Sequence, residues 1–154
     1  MTDLIGWIIA TISVIVTVMV HYEVMLGITD HLLPLVQRQV RGRRRMILTV
    51  VALMCGHILE IWLFAAIMLF LCRFTELGSI SGNDVRGFTD YLYYSAVSYT
   101  SLGDSKFHPE GIIRNLTAAE ALAGILMIGW SASFTYLNME HIWKAHRADR
   151  GPRD

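Results

Sequence analysis

Charge is scarce in this chain and neither sign prevails. Only 17% of its 154 residues are charged, and 13 basic side chains balance 13 acidic ones. Without a basic excess there is little to neutralise phosphates, which argues against nucleic acid as a partner. Intrinsic disorder needs low hydropathy and high charge, whereas 54% of these residues are hydrophobic. Cysteine is nearly absent: Cys55 and Cys72 cannot form a disulfide framework, and both fall within or at the end of one apolar block. Proline is rare too, and no repeat, low-complexity tract or Pro/Ser linker divides the chain, which reads as a single domain. No nucleophile–base constellation and no phosphate-cradling glycine loop is present, so catalysis is not expected. A soluble domain of this size needs a more polar surface. The composition suits a chain whose main solvent is lipid.

What the sequence does contain is long apolar blocks. They run from Leu4 to about Leu26, from Met46 to Cys72, and from Leu116 to about Met139. Each is long enough to cross a hydrocarbon core, which takes about 20 helical residues. The first lacks a basic n-region and is too long for a signal peptide, so it reads as a retained transmembrane helix. Pro34 is expected to close a short interfacial helix after it. The next stretch, Arg38-Gln39-Val40-Arg41-Gly42-Arg43-Arg44-Arg45, holds five arginines and no acid. The end of the chain carries Lys144, Arg147, Arg150 and Arg153, while charges between the second and third blocks are mixed. By the positive-inside rule the arginine stretch and the C-terminus are cytoplasmic and the N-terminus is outside. The arginines serve first as a topogenic signal, with binding of anionic membrane lipid as the lesser alternative.

The connection between the second and third blocks divides in two. Thr75 to Asp84 is polar and rich in glycine and serine, and reads as an exposed loop. From Phe88 to Ser101 follows an aromatic, small-residue stretch for which Thr89 or Asp90 is the expected helix cap. It is too short to span a bilayer, and such a length is one signature of a re-entrant segment. Gly103 and Pro109 then break the helix.

Tyr91-Leu92-Tyr93-Tyr94-Ser95-Ala96-Val97-Ser98-Tyr99-Thr100-Ser101-Leu102-Gly103-Asp104, then Pro109 and Glu120-Ala121-Leu122-Ala123-Gly124, resembles the pore region of the potassium-channel superfamily. The likeness is to the small bacterial two-helix ion-channel branch, here with an additional N-terminal helix. It covers residues 46–143. The resemblance implies an all-α membrane protein with three transmembrane helices and a re-entrant pore helix and filter loop between the second and third. It further implies a homotetramer in a bacterial inner membrane, with no cofactor other than the permeating monovalent cation, K+ or Na+. On this division residues 1–45 are the added helix and arginine-rich loop, 46–143 the pore domain and 144–154 a cytoplasmic tail.

In the family, a pattern Thr-Val-Gly-Tyr-Gly-Asp follows the pore helix. Without gaps it falls on Ser101-Leu102-Gly103-Asp104-Ser105-Lys106, so the filter is expected at Thr100, Ser101, Leu102, Gly103, Asp104 and Ser105. Successive carbonyls would face the axis and replace an ion's hydration shell. The backbone there needs unusual dihedrals that glycine adopts readily. Asp104 stands at the family's tyrosine, Ser105 at its second glycine and Lys106 at its aspartate, unless two residues have been lost and Asp104 is that aspartate. On either alignment strict potassium selectivity is not expected. Tyr93, Tyr94 and Tyr99 (with Tyr91) would form a cuff behind the filter, or else an interfacial aromatic belt. Gly124 and Gly129 on the inner helix serve as a hinge or allow close packing, and Ser131, Ser133 and Thr135 face water or a neighbouring helix. There is no voltage-sensor repeat, since the arginines cluster in a loop.

Ionisable residues sit where lipid would penalise them. His21 and Glu23 end the first span, His57 and Glu60 lie inside the second, and Glu120 opens the third. A charge at mid-membrane costs at least ~2.5 kcal/mol on insertion scales, so partners are expected. His57 and Glu60, three residues apart, share a helix face. With Glu120 they are expected to form a polar network, Glu120 bonding to the pore-helix backbone as the resemblance implies. A metal site would need a further ligand from another helix, and spacing specifies none. The expectation is therefore no metal. Two other functions stand beside a conducting channel: a non-conducting relative acting as membrane scaffold or regulatory subunit, and a metal transporter or membrane enzyme using Glu23, His57 and Glu60.

Overall fold

The computed structural model describes residues 2–34, 42–82, 87–104 and 106–148. Helix α1 (Thr2–Gly27) passes through a π-helical turn, Ile28–Leu32, and its helical backbone continues to Pro34. The separate interfacial helix expected there is absent: the extra residue of a π turn is absorbed without breaking the helix. Helix α2 spans Gly42–Phe74, the short helix α3 spans Phe88–Tyr99 and α4 spans Ile112–Ala148. Thr2–Leu32, Arg44–Phe74 and Ile112–Glu140 are long and apolar enough to cross a membrane. The arginine stretch 38–41, Ser105 and the tail 149–154 lie outside the described residues.

An all-α chain was the expectation, and a two-stranded antiparallel ribbon corrects it. Strand β1 (Gly78–Gly82) pairs with β2 (Phe107–Gly111), Gly78 opposite Gly111 and Gly82 opposite Phe107. In sequence the Gly/Ser stretch resembles a loop, because only Ile80 marks an inward face and its strand partner lies more than twenty residues away. Pro109 is tolerated here because a two-stranded ribbon is all edge. At Gly111 (φ 59), a Cβ would collide with the Leu77 carbonyl oxygen, so glycine is required where the ribbon turns into α4.

Helix α1 packs the reverse of a soluble amphipathic helix. Its buried residues are Gly6, Ala10, Ser13, Thr17, His21 and Met25, a small and polar stripe at helical spacing. Leu4, Trp7, Ile8, Ile12, Ile15 and Met19 face outward. That arrangement suits lipid, which offers no hydrophobic gain for burying leucines but rewards close backbone approach through small residues. A Cβ at Gly6 would lie 2.7 Å from Asn115 Nδ2 on α4, and one at Gly56 would lie 2.9 Å from Val24 on α1. Glycine at these positions therefore seats α1 against both of the other long helices.

Buried side chains form two apolar clusters with a polar layer between them. One, next to the ribbon, joins Ala10, Phe64, Met68, Ile80, Tyr91 and Leu116 among others. The second, toward the opposite end, joins Met25, Ile28, Leu33 and Leu53. His21, His57 and Glu60 fall between these clusters along α1 and α2.

Candidate functional site

Helix α3 begins at Gly87. The Gly87 N–H donates to Asp90 Oδ2 at 2.9 Å, and the Asp90 N–H donates to the Gly87 carbonyl at 3.1 Å. Asp90 therefore supports the start of the helix from its third position, and Gly87, three residues earlier, is the cap. Tyr91, Tyr94, Ser95 and Ser98 face the interior at helical spacing. Tyr91 and Tyr94 belong to the cluster beside the ribbon, whereas Tyr99 reaches the polar layer half-way along the long helices. The chain then returns to the ribbon at Phe107.

At the end of α3 the last carbonyls are capped by the chain itself. Thr100 N–H donates to the Ala96 carbonyl (3.2 Å), Ser101 N–H to Ser98 (2.9 Å) and Gly103 N–H to Val97 (3.1 Å). Thr100 Oγ1 also turns back to the Ala96 carbonyl, at 2.9 Å. Ser101 (φ 57) and Gly103 (φ 70) are both left-handed. For serine this costs on the order of 1–2 kcal/mol, offset here by its place as the left-handed residue that closes a helix. Ser105, which stands at the family's second glycine, lies outside the described residues.

Leu102 is 77% exposed in the single chain. Asp104 is engaged on both oxygens: Oδ2 accepts from the Tyr93 hydroxyl at 3.2 Å and Oδ1 from the Lys106 N–H at 2.9 Å. The hydrogen bond to Asp104, and then its charge, hold the Tyr93 phenol above its ordinary pKa. The three expected cuff tyrosines thus take separate partners. Tyr93 ties α3 to the loop, Tyr94 meets Thr117 Oγ1 on α4 at 3.1 Å, and Tyr99 reaches α2.

The polar layer is assembled from all four helices. Glu60, fully buried on α2, accepts from the Tyr99 hydroxyl through Oε2, and its Oε1 lies 2.7 Å from His21 Nδ1 on α1. His57 Nδ1 lies 2.9 Å from the Tyr99 hydroxyl and 3.6 Å from Glu60 Oε2. On α4, Ser131 Oγ lies 3.3 Å from His21 Nε2, and Trp130 packs on the His21 ring at 5.4 Å between centroids. The expected His57–Glu60 pairing is thus present. Glu23 is exposed and does not join, which removes the site built on Glu23. Sequence reasoning gave His21 and Ser131 no partner; the stripe Gly6–Ala10–Ser13–Thr17–His21 was the available signal for His21.

Glu120 meets α3 through a side chain, Ser95, and not through the helix backbone as expected. Ser95 Oγ lies 2.5 Å from Glu120 Oε1 and 2.9 Å from the Ile61 carbonyl. A hydroxyl has one proton, which these two acceptors share unless Glu120 supplies a proton of its own. Among the described residues, Glu120 Oε2 has no hydrogen-bond partner, a smaller penalty for a neutral carboxyl than for an anion. Glu120→Gln, which keeps a donor toward Ser95, is expected to hold stability within about 1 kcal/mol, while Glu120→Ala loses about 2–4 kcal/mol. Thermal unfolding in detergent reads the difference, and equal losses would show that the anion itself is required.

On the inner helix the two glycines differ. A Cβ at Gly124 would overlap the Tyr99 carbonyl oxygen and come within 2.8 Å of its carbon, whereas Gly129 has nothing within 4 Å. Helix α4 runs unbroken through both. Gly124 is therefore where α4 and the end of α3 touch.

Three membrane-length helices, with a short helix and a capped loop packed against the second and third of them, define an integral membrane protein. A family model described as Ion channel matches residues 56–139, more than half of the chain, and the chain belongs to this ion channel family. The matched segment contains Glu60, all of α3, the loop, Glu120 and Gly124, and leaves out His21. No curated protein and no solved structure matches the chain.

Proposed function

We propose that this chain is the pore-forming subunit of a homotetrameric, potassium-channel-like cation channel, with α3 as a re-entrant pore helix and residues 100–105 as the filter. The observation that carries this is the loop after α3, left-handed at both Ser101 and Gly103 and directly following Tyr99, which reaches the buried polar layer. Alternating backbone of this kind is how consecutive carbonyls are turned to one side. The C-terminal end of α3 adds partial negative charge that favours a cation. Exposed Leu102 supports burial against neighbouring copies, since one loop cannot enclose a pore.

Asp104 is held by Tyr93 and the Lys106 N–H, so its carboxylate anchors the loop and backbone carbonyls do the coordinating. With so short a loop the channel passes both K+ and Na+. The ribbon and the N-terminus face outward, and the arginine-rich stretches face the cytoplasm.

Flux of K+ and Na+ into liposomes carrying the purified protein tests this reading. Both ions are expected to pass, and Gly103→Ala is expected to stop them with assembly retained. A Cβ at Gly103 meets nothing within 4 Å, so the variant fits. Its φ of 70 disfavours alanine by about 1–2 kcal/mol, enough to turn the carbonyls aside. Absence of flux for either ion under varied voltage and pH would replace this reading with a non-conducting scaffold or regulatory subunit. Unchanged flux in Gly103→Ala would place the ion path elsewhere.

A further inference from the structure

The polar layer holds more ligating groups than pairing one carboxylate requires. Neutralising Glu60 takes one imidazole, yet His21 from α1 and His57 from α2 both bring Nδ1 toward it, with ring centroids 5.3 Å apart. One ligand atom from each of His21, His57 and Glu60 lies within 4.8 Å of the other two, and all three residues are buried. Ligands of a tetrahedral zinc ion at about 2.0–2.1 Å sit about 3.3–3.5 Å apart. His57 Nδ1 lies 3.6 Å from Glu60 Oε2 and His21 Nδ1 lies 2.7 Å from Glu60 Oε1, so the two imidazoles face the two oxygens of one carboxylate, and a metal among them requires the His21–Glu60 contact to open.

We propose that His21, His57 and Glu60 bind one divalent transition-metal ion of the zinc class. Two imidazoles and one carboxylate are the donors of such ions, whereas calcium and magnesium take oxygen alone. The metal replaces the contact between His21 Nδ1 and Glu60 Oε1 and adds positive charge beside a carboxylate in a low-dielectric layer. The fourth corner falls to the Tyr99 hydroxyl, already against both His57 and Glu60, or to water. Ser131 at His21 Nε2 and Trp130 on the His21 ring fix the orientation of that ligand, the usual task of groups just outside a metal site. Sequence spacing could not name this site, because the missing ligand comes from a helix nearly forty residues away. An ion here ties α1 and α2 together and acts on Tyr99, the residue immediately before Thr100. Its influence on conduction rests on the channel reading, whereas its occupancy does not.

Occupancy is tested on full-length protein in detergent, stripped with a chelator and loaded with Co2+ as the probe. One Co2+ per chain is expected, with the intense visible bands of a tetrahedral ion, an X-ray absorption shell of nitrogen and oxygen without sulfur, and stoichiometric displacement by Zn2+. His57→Gln should lose the bands and weaken affinity by at least about 100-fold, and Ser131→Ala should weaken it by about tenfold. Glu23→Gln and Cys55→Ser should leave it unchanged, both residues being exposed. Substoichiometric binding at micromolar metal, sulfur in the shell, or unchanged affinity in His57→Gln overturns the site. Should His57→Gln fail to fold, the stoichiometry and absorption shell of the unsubstituted protein decide alone. With the site occupied, Zn2+ is expected to lower flux in the liposome assay, and Ser131→Ala is expected to need about tenfold more Zn2+ for the same effect.

Discussion

Gly124→Ala is expected to unfold or misassemble the protein, with a loss above about 3 kcal/mol. The new methyl group would overlap the Tyr99 carbonyl oxygen and approach the Tyr99 ring Cγ to 3.0 Å. Neither neighbour can yield easily: one is backbone, and the other belongs to a side chain whose hydroxyl is held by Glu60 and His57. Relief requires α4 to move away from α3, which strips contacts along both helices. Gly129→Ala is the internal control, since open space surrounds that position and alanine favours helix by about 1 kcal/mol. Thermal unfolding in detergent should separate the two variants widely. Equal behaviour would mean that the two helices do not approach each other at Gly124.

Glu60→Ala is expected to cost about 3–5 kcal/mol, the usual consequence of removing one partner from a buried charged network. His21 and Tyr99 lose their shared acceptor, and His57 loses its ion-pair partner, all of them buried side chains. Glu60→Gln should cost less, because an amide keeps the volume and one acceptor oxygen. A double-mutant cycle with His21→Gln distinguishes a network from separate contacts. The double variant should lose less than the sum of the single losses by at least about 1 kcal/mol. Additive losses would show that His21 and Glu60 act independently, despite the 2.7 Å between them.

These two residues also mark how far the sequence could be read. The spans were legible because an apolar block of bilayer length has few other uses, and the short helix was legible from its length and breakers. The channel family was legible in the run from Tyr91 to Asp104, and the family match over residues 56–139 agrees with it. Glu60 and His57 were recognisable as a pair, since three residues along a helix is a local relation. Gly124 was noticed, though hinge and packing could not be told apart. The partners of His21 were not legible, and the reading that set Glu23 with His57 and Glu60 does not hold, since Glu23 is exposed. Two residues apart on a helix, the His21 and Glu23 side chains point to different sides, and only one side met α2. The ribbon was missed because neither strand carries an alternating pattern of its own.

Sequence alone determined what depends on composition and short-range spacing: lipid as the solvent, three membrane-length helices, a short helix with a glycine-broken loop behind it, and the channel family. Tertiary structure decided what depends on how helices are rotated and shifted against one another. It brought His21 and Ser131 to Glu60 and pressed the Tyr99 carbonyl against Gly124. It also placed the left-handed turn at Ser101 and paired two glycine-rich stretches into a ribbon. The physical reason is that helical periodicity is written within each segment. The register between segments, by contrast, is set by close contacts of small residues and by buried polar groups that must find partners across the bundle.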